Sequence, residues 1–219
     1  MKAVNSAYRA IREGILAGTF AEGSHITARQ LAEATGLSRT PVREAMRQLN
    51  AEGLITLIPN RGAFVARWTE AEIQQIYELR VLLESFAAKV AAERISDEQC
   101  EELKSLAAEM SRLVEDRPED VNVIAEVNDR FHKGVLEACG NPRLRDLLCA
   151  ITEVPLQLST FRRYSIEQLR RSASQHAELV SALLERDGDW AGAVMTAHIR
   201  SARHTLLQPP VVTPLRAVD

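Results

Sequence analysis

The punctuation of the chain changes at Arg67-Trp68, and this constrains the fold more than any other feature. Before that point Gly18, Gly23, Gly36, Gly53, Pro59 and Gly62 cut the sequence into short pieces. After it, from residue 68 to residue 207, long amphipathic stretches follow one another with no alternating strand pattern. The charge changes sign at the same place. Residues 1–66 carry eight Lys+Arg against five acids, a net of +3, and the rest carries 19 against 25, a net of −6. The overall balance of −3 therefore hides a basic segment joined to an acidic one, the mark of two domains with different partners. We expect a mainly α protein: domain 1–67, an all-helical domain 68–207, and a tail 208–219 containing Pro209, Pro210 and Pro214.

Composition narrows the class. Apolar residues are 46% and charged residues 26%, enough for a sizeable core and unlike a disordered chain. No apolar run approaches the ~18–20 residues of a membrane span, and Met1–Gly18 lacks the apolar segment and cleavage site of a secretory signal. Cys100, Cys139 and Cys149 are odd in number and form no CxxC pair. A cytoplasmic location is the expectation, with no disulfide framework and no membrane partner.

In the first segment Val4–Leu16, Thr27–Thr35 and Ser38 to about Ala51 read as three helices, with Thr27 and Ser38 as N-caps. Leu54–Ile58 and Ala63–Ala66 read as strands around a Pro59-Asn60-Arg61-Gly62 tip. Three helices and a hairpin in this span make a winged helix-turn-helix. In the third helix Val42, Ala45, Met46 and Leu49 form the buried stripe. Arg39, Arg43 and Arg47, at i, i+4 and i+8, share another face. Such a row can meet phosphates and the acceptor edge of guanine in a major groove, with Arg61 and Gly62 over a neighbouring backbone or minor groove. The plainer alternative is a solvated face, against which stand the Gly36 turn before the helix and the hairpin after it.

This segment resembles the DNA-binding domain of the GntR family of bacterial transcription regulators. The resemblance rests on Ile15-Leu16-x-Gly18, Arg29-Gln30-Leu31-Ala32, Gly36 to Ala45, Leu49-x-x-Glu52-Gly53-Leu54 and Pro59 to Val65. It implies DNA contacts at Arg29, Ser38, Arg39, Thr40, Arg43, Arg47, Arg61 and Gly62. It also implies a homodimer on a near-palindromic operator in double-stranded DNA.

In the second segment, capping boxes at Thr69-Glu70-Ala71-Glu72 and Ser96-Asp97-Glu98-Gln99 open helices to about Arg94 and Glu115. Further helices are expected at Val121–Cys139, at Leu144–Phe161 with a kink or split at Pro155, at about Ser174–Arg186 and at Trp190–Leu207. At about 100° per residue, Asn128 and His132 fall inside the apolar arc of Ile124, Phe131 and Val135, while Asp129 falls on its margin. His176 shares a stripe with Leu179, Val180 and Leu183, and His198 with Val194, Met195 and Ala202. His204 faces elsewhere. Three inward histidines are either satisfied core residues or ligands of a zinc-like ion. Arg80 lies in register with Ile73 and Ala87 on an inner face. It is either paired with a glutamate such as Glu84 or a bidentate clamp for a ligand carboxylate.

This portion resembles the FCD ligand-binding domain of the FadR-type GntR subfamily. The matching pieces are Tyr77-Glu78-Leu79-Arg80-x-x-Leu83-Glu84, Asn128-x-x-Phe131-His132, Cys139 to Leu144, His176-x-x-Leu179-x-x-Ala182-Leu183, Asp187-Gly188-Asp189 and Ala197-His198. Many such domains bind a divalent metal through an Asp or Asn and three His beside a small organic acid. The resemblance implies a transition metal, zinc or nickel, on Asn128, His132, His176 and His198, and an effector at Arg80. Asn stands where Asp is usual. A neutral amide oxygen is the weaker ligand, which predicts lower affinity or a different preferred ion. The resulting expectation is a regulator and not an enzyme. No P-loop, nucleophile elbow or HExxH occurs, and no carboxylate is visibly placed as a general base. The alternatives are a metal-dependent enzyme using the three-His site, or a regulator for which the metal is itself the signal.

Overall fold

The computed structural model describes residues 2–59, 61–151 and 154–208. Asn60 of the hairpin tip and the tail beyond residue 208 lie outside the described residues. Two compact units emerge, one built on Met1–Thr69 and another that begins at Glu70.

The first unit holds α1 (Lys2–Leu16), β1 (His25–Ile26), α2 (Ala28–Thr35), α3 (Arg39–Ala51), β2 (Ile55–Ile58) and β3 (Gly62–Val65). Its helices form for local reasons. Thr27 caps α2 in a reciprocal capping box with Gln30, and the helix ends at Gly36. Ser38 occupies the N-cap position of α3 in an extended conformation, but its side chain makes no cap hydrogen bond. Its hydroxyl therefore stays exposed at the start of α3. Ile11, Leu31, Val42, Leu49, Leu54 and Ile55 close the core at 1% exposure or less. The three strands lie in the order β1-β3-β2, all antiparallel. The two-residue β1 is invisible to periodicity. It exists because His25 and Ile26 pair with Phe64 and Ala63 of β3.

After Thr69 the chain forms α4 (Glu70–Arg94), α5 (Asp97–Asp116), α6 (Val121–Cys139), α7 (Pro142–Ile151), α8 (Val154–Arg163), α9 (Ile166–Leu184) and α10 (Gly188–Leu207); all of these but the first half of α8 belong to the second unit. The Ser96–Gln99 capping box opens α5 as the sequence predicts. Within the expected Leu144–Phe161 helix the described residues form α7 and α8, and the two positions between them, where the kink or split before Pro155 is expected, lie outside the described residues. Helix α9 starts eight residues before the expected Ser174, at a Ser165–Gln168 capping box. The Ser-x-x-Gln spacing is a legible signal that the apolar periodicity alone missed.

Helix α4 packs against α6 and α10, α5 against α6 and α9, and α9 against α10. Ala87, Ala88, Ala91 and Ala92 on α4 are buried and leave room for a close crossing. A Cβ on Gly188 would stand 2.8 Å from the Lys89 carbonyl oxygen, so glycine is what lets α10 begin there. No helix among the described residues is long and apolar enough to cross a membrane.

Candidate DNA interface and candidate metal centre

Val42, Ala45, Met46 and Leu49 anchor α3 in the first core. The opposite face carries Ser38, Arg39, Thr40, Arg43 and Arg47, all exposed. Arg47 is engaged by Glu44 at 2.7 Å and Arg29 by Glu33 at 3.0 Å, both pairs solvent-exposed. Exposed pairs of this kind are weak, about 0–1 kcal/mol, and yield to a phosphate. Arg39, Arg43 and Arg61 have no acidic partner among the described residues. The C-terminal end of α3 is held to its surroundings by Asn50, whose Oδ1 accepts from the Leu57 amide at 2.8 Å, and by Glu52, which accepts from Tyr8 at 2.7 Å.

Gly62 has φ 88°, and a Cβ there would lie 2.8 Å from the Ile26 carbonyl. Both facts restrict this position to glycine. His25 Nε2 hydrogen-bonds the Arg61 carbonyl, fixing the backbone that carries the wing arginine. His25 was not among the sequence-derived candidates, because the contact spans 36 residues.

In the second unit His132 on α6, His176 on α9 and His198 on α10 converge. All three are buried, and one ring nitrogen from each lies within 4.8 Å of the others. His132 Nε2 and His198 Nε2 are 3.3 Å apart. The outward nitrogens are held from behind. His132 Nδ1 meets Glu84 Oε2 at 2.7 Å, His198 Nδ1 meets Gln175 Oε1 at 3.2 Å, and His176 Nδ1 lies 3.0 Å from Met110 Sδ. Phe131 stacks on the His176 ring with centroids 4.3 Å apart. Burial, then the charges of its histidine neighbours, hold His176 well below the ordinary imidazole value. Burial, then His132, bring His198 down to about 3. These two rings are therefore neutral, the form that offers a lone pair to a metal.

Two buried polar atoms in this region have no hydrogen-bond partner among the described residues: His176 Nε2 and Asn128 Oδ1, one turn before His132 on α6. An unsatisfied buried acceptor costs about 1–3 kcal/mol, which a cation in contact with it would offset. The donor set of three imidazoles and an amide oxygen fits a divalent transition ion. Asp129 turns outward and pairs with Lys133 at 2.7 Å, in keeping with its marginal angle on the helix.

Arg80 is buried on α4 and bonds through Nε to Glu84 Oε1 at 2.7 Å, with its guanidinium 4.9 Å from the Tyr77 ring centroid. Burial, the largest single influence, pulls its pKa down, but the charge and hydrogen bond of Glu84 together with Tyr77 and Tyr164 outweigh it and the net shift is upward. Burial likewise pushes the Glu84 carboxyl up. Arg80 and His132 outweigh it and bring Glu84 to about 2. One ionised carboxylate thus joins Arg80 to the histidine cluster.

The arrangement matches known families over both units. Residues 3–65 match the bacterial regulatory proteins of the gntR family, and residues 75–201 match the FCD domain. The chain belongs to the GntR family. It is a bacterial transcriptional regulator carrying an FCD domain; the family's members are regulators and not enzymes.

The uncharacterized HTH-type transcriptional regulator YdhC of Bacillus subtilis is 30% identical over 64% of this GntR-family chain and 62% of its own. The galactonate operon transcriptional repressor of Escherichia coli is 29% identical over 88% of this chain and 91% of that protein. In fold, the chain is similar to McbR/YncC of Escherichia coli, with a TM-score of 0.72 at 20% identity, over 94% of this chain and 97% of that one.

Proposed function

We propose that this GntR regulator acts in the cytoplasm as a homodimer. It binds a near-palindromic operator, and a small carboxylate held beside a zinc or nickel ion in the helical core sets its operator affinity. The observation that carries the reading is the buried cluster of His132, His176 and His198, together with His176 Nε2 and the Oδ1 of Asn128, one turn before His132, neither of which has a hydrogen-bond partner among the described residues. His132, His176, His198 and Asn128 hold the ion. When bound, the ion supplies a positive centre that attracts an anionic effector. Glu84 and Gln175 orient two of the imidazoles, and Arg80 contributes charge to the same region through Glu84.

In the reader unit, Arg39 and Arg43 address base edges. Ser38, Thr40, Arg29 and Arg47 contact phosphates, and Arg61 and Gly62 follow the adjacent groove. The dimer is supported by Leu79, Leu82 and Phe86, exposed at 46%, 66% and 52% along one side of α4. An effector changes DNA affinity only to the extent that it binds the DNA-competent and DNA-incompetent states differently.

The test is operator selection from genomic fragments with the full chain, followed by gel shifts with and without hydroxy-carboxylates. Galactonate is a suitable first probe, since one relative is the repressor of the galactonate operon. A sequence-specific complex that responds to a carboxylate supports the reading; the absence of any sequence-specific complex overturns it. A second reading, a metal sensor, rests on the same three histidines. It predicts a large change in operator affinity on chelation alone, with no organic acid present.

A further inference from the structure

A second cluster of chemistry lies outside the histidine core. Between α9 and α10 is a cleft of about 240 Å³. Its walls include Tyr164, Arg171, Ser172, Gln175, Arg200 and His204, and the three core histidines do not line it. Three observations point to a ligand there.

The charge comes first. Arg171 and Arg200 stand on facing helices, and no aspartate or glutamate lines the cleft among the described residues. Neither arginine has an ion-pair partner among the described residues. Arg170, one position away, is by contrast held by Glu115 at 2.7 Å. Two guanidinium groups at one concave site, without a counter-charge, match the planar geometry of an oxyanion.

The second observation is a buried, unpartnered hydroxyl. Ser172 is 3% exposed, and its Oγ is fully enclosed with no hydrogen-bond partner among the described residues. A buried hydroxyl left alone costs about 1–3 kcal/mol. In the wall of a cationic cleft, a ligand oxygen that accepts from it removes that cost.

The third is connection. Gln175 lines the cleft, and its Oε1 holds His198 Nδ1 at 3.2 Å. Whatever occupies the cleft touches a residue that orients the outer nitrogen of His198.

We propose that the α9–α10 cleft is a binding site for a small oxyanion, a carboxylate or a phosphate group. Arg171 and Arg200 neutralise its charge, Ser172 Oγ donates to it, and Gln175 passes its presence to His198. The volume lies just below the ~300–1,000 Å³ of drug-sized ligand pockets, which suits a compact anion. Neither Arg80 nor any of the three core histidines lines the site, and it does not depend on the core holding a metal.

The test follows backbone amides of the full-length chain by NMR. The protein is titrated with sodium phosphate, with sodium succinate, and with sodium chloride at matched ionic strength. The expected result is saturable shifts at Ser172 and Gln175 with phosphate or succinate and none with chloride; which salt acts distinguishes the phosphate source from the carboxylate. Arg171→Gln with Arg200→Gln weakens that binding by about tenfold or more. Ser172→Ala weakens it by about three- to tenfold while leaving the melting temperature unchanged or raised, because it deletes an unpartnered hydroxyl. The proposal is overturned by equal shifts with chloride, by no saturation at about 10 mM anion, or by unchanged affinity in these variants. Shifts that gather around Arg80 and the three histidines instead also overturn it, while leaving the core-pocket reading intact.

Discussion

Glu84 Oε2 lies 2.7 Å from Nδ1 of His132, and the two residues are 48 positions apart on different helices. The other oxygen of the same carboxylate takes the Arg80 Nε–H, also at 2.7 Å. A buried anion is thereby matched by a guanidinium on one side and an imidazole N–H on the other. With its Nδ1 occupied, His132 directs Nε2 toward the cluster.

The first expectation concerns that carboxylate. Glu84→Gln keeps the shape but presents an N–H to one of two donors. Metal affinity falls by about 10–100-fold, measured by competition with a chromophoric chelator. Removing the partner of buried Arg80 also lowers the stability of the second unit by about 3–5 kcal/mol, read from urea unfolding. Unchanged values in both measurements contradict the role assigned to Glu84.

Metal removal is the second. Zinc or nickel at about 100 times its Kd stabilises the folded chain by about 2.7 kcal/mol. For a chain of this size that corresponds to a rise in Tm of roughly 5–10 °C. A chelator reverses the shift, and His176→Ala abolishes it. A Tm indifferent to metal in the unaltered protein speaks against the centre.

The third turns on the amide ligand. Asn128→Asp places a carboxylate one turn before His132, next to neutral imidazoles. It strengthens metal binding by about tenfold, or about 1.4 kcal/mol, by isothermal titration calorimetry. Weaker or equal binding means that this side chain does not reach the ion.

For DNA, Arg43→Ala costs about 1–3 kcal/mol of specific affinity in gel shifts at fixed salt and relaxes discrimination at the base it contacts. Arg47→Ala costs less, since Arg47 must first leave Glu44, its partner at 2.7 Å. Equal losses for the two variants on specific and random DNA indicate phosphate contacts alone.

The dimer is tested at α4. Leu82 is 66% exposed between Leu79 and Phe86. Leu82→Glu puts a charge into the middle of that stripe. Sedimentation then shows a monomer in place of a dimer, with operator affinity reduced by at least about tenfold through loss of the second half-site. A Leu82→Glu protein that stays dimeric places the interface elsewhere.

What the amino-acid order determined alone is what neighbours in sequence decide. The cap at Thr27, the box at Ser96–Gln99 and the stop at Gly140 rest on contacts three or four residues long. They are legible because the partners are tied together by one helical turn. The helical stripes that turned His132, His176 and His198 inward belong to the same class, since 3.6 residues per turn assigns a side chain to a face.

Tertiary structure decided the rest. Periodicity shows that three histidines face inward, but only the packing of α6, α9 and α10 brings their nitrogens within 4.8 Å of one another. It left Arg80 between a glutamate partner and a ligand clamp, and the fold pairs it with Glu84, which also serves His132. Strand β1 exists only by pairing with β3, and the Ser38 hydroxyl, legible as a cap, stays unused. The physical reason is reach. A helical turn fixes direction over about 5 Å, whereas a site built from α4, α6, α9 and α10 depends on which faces the core packs together.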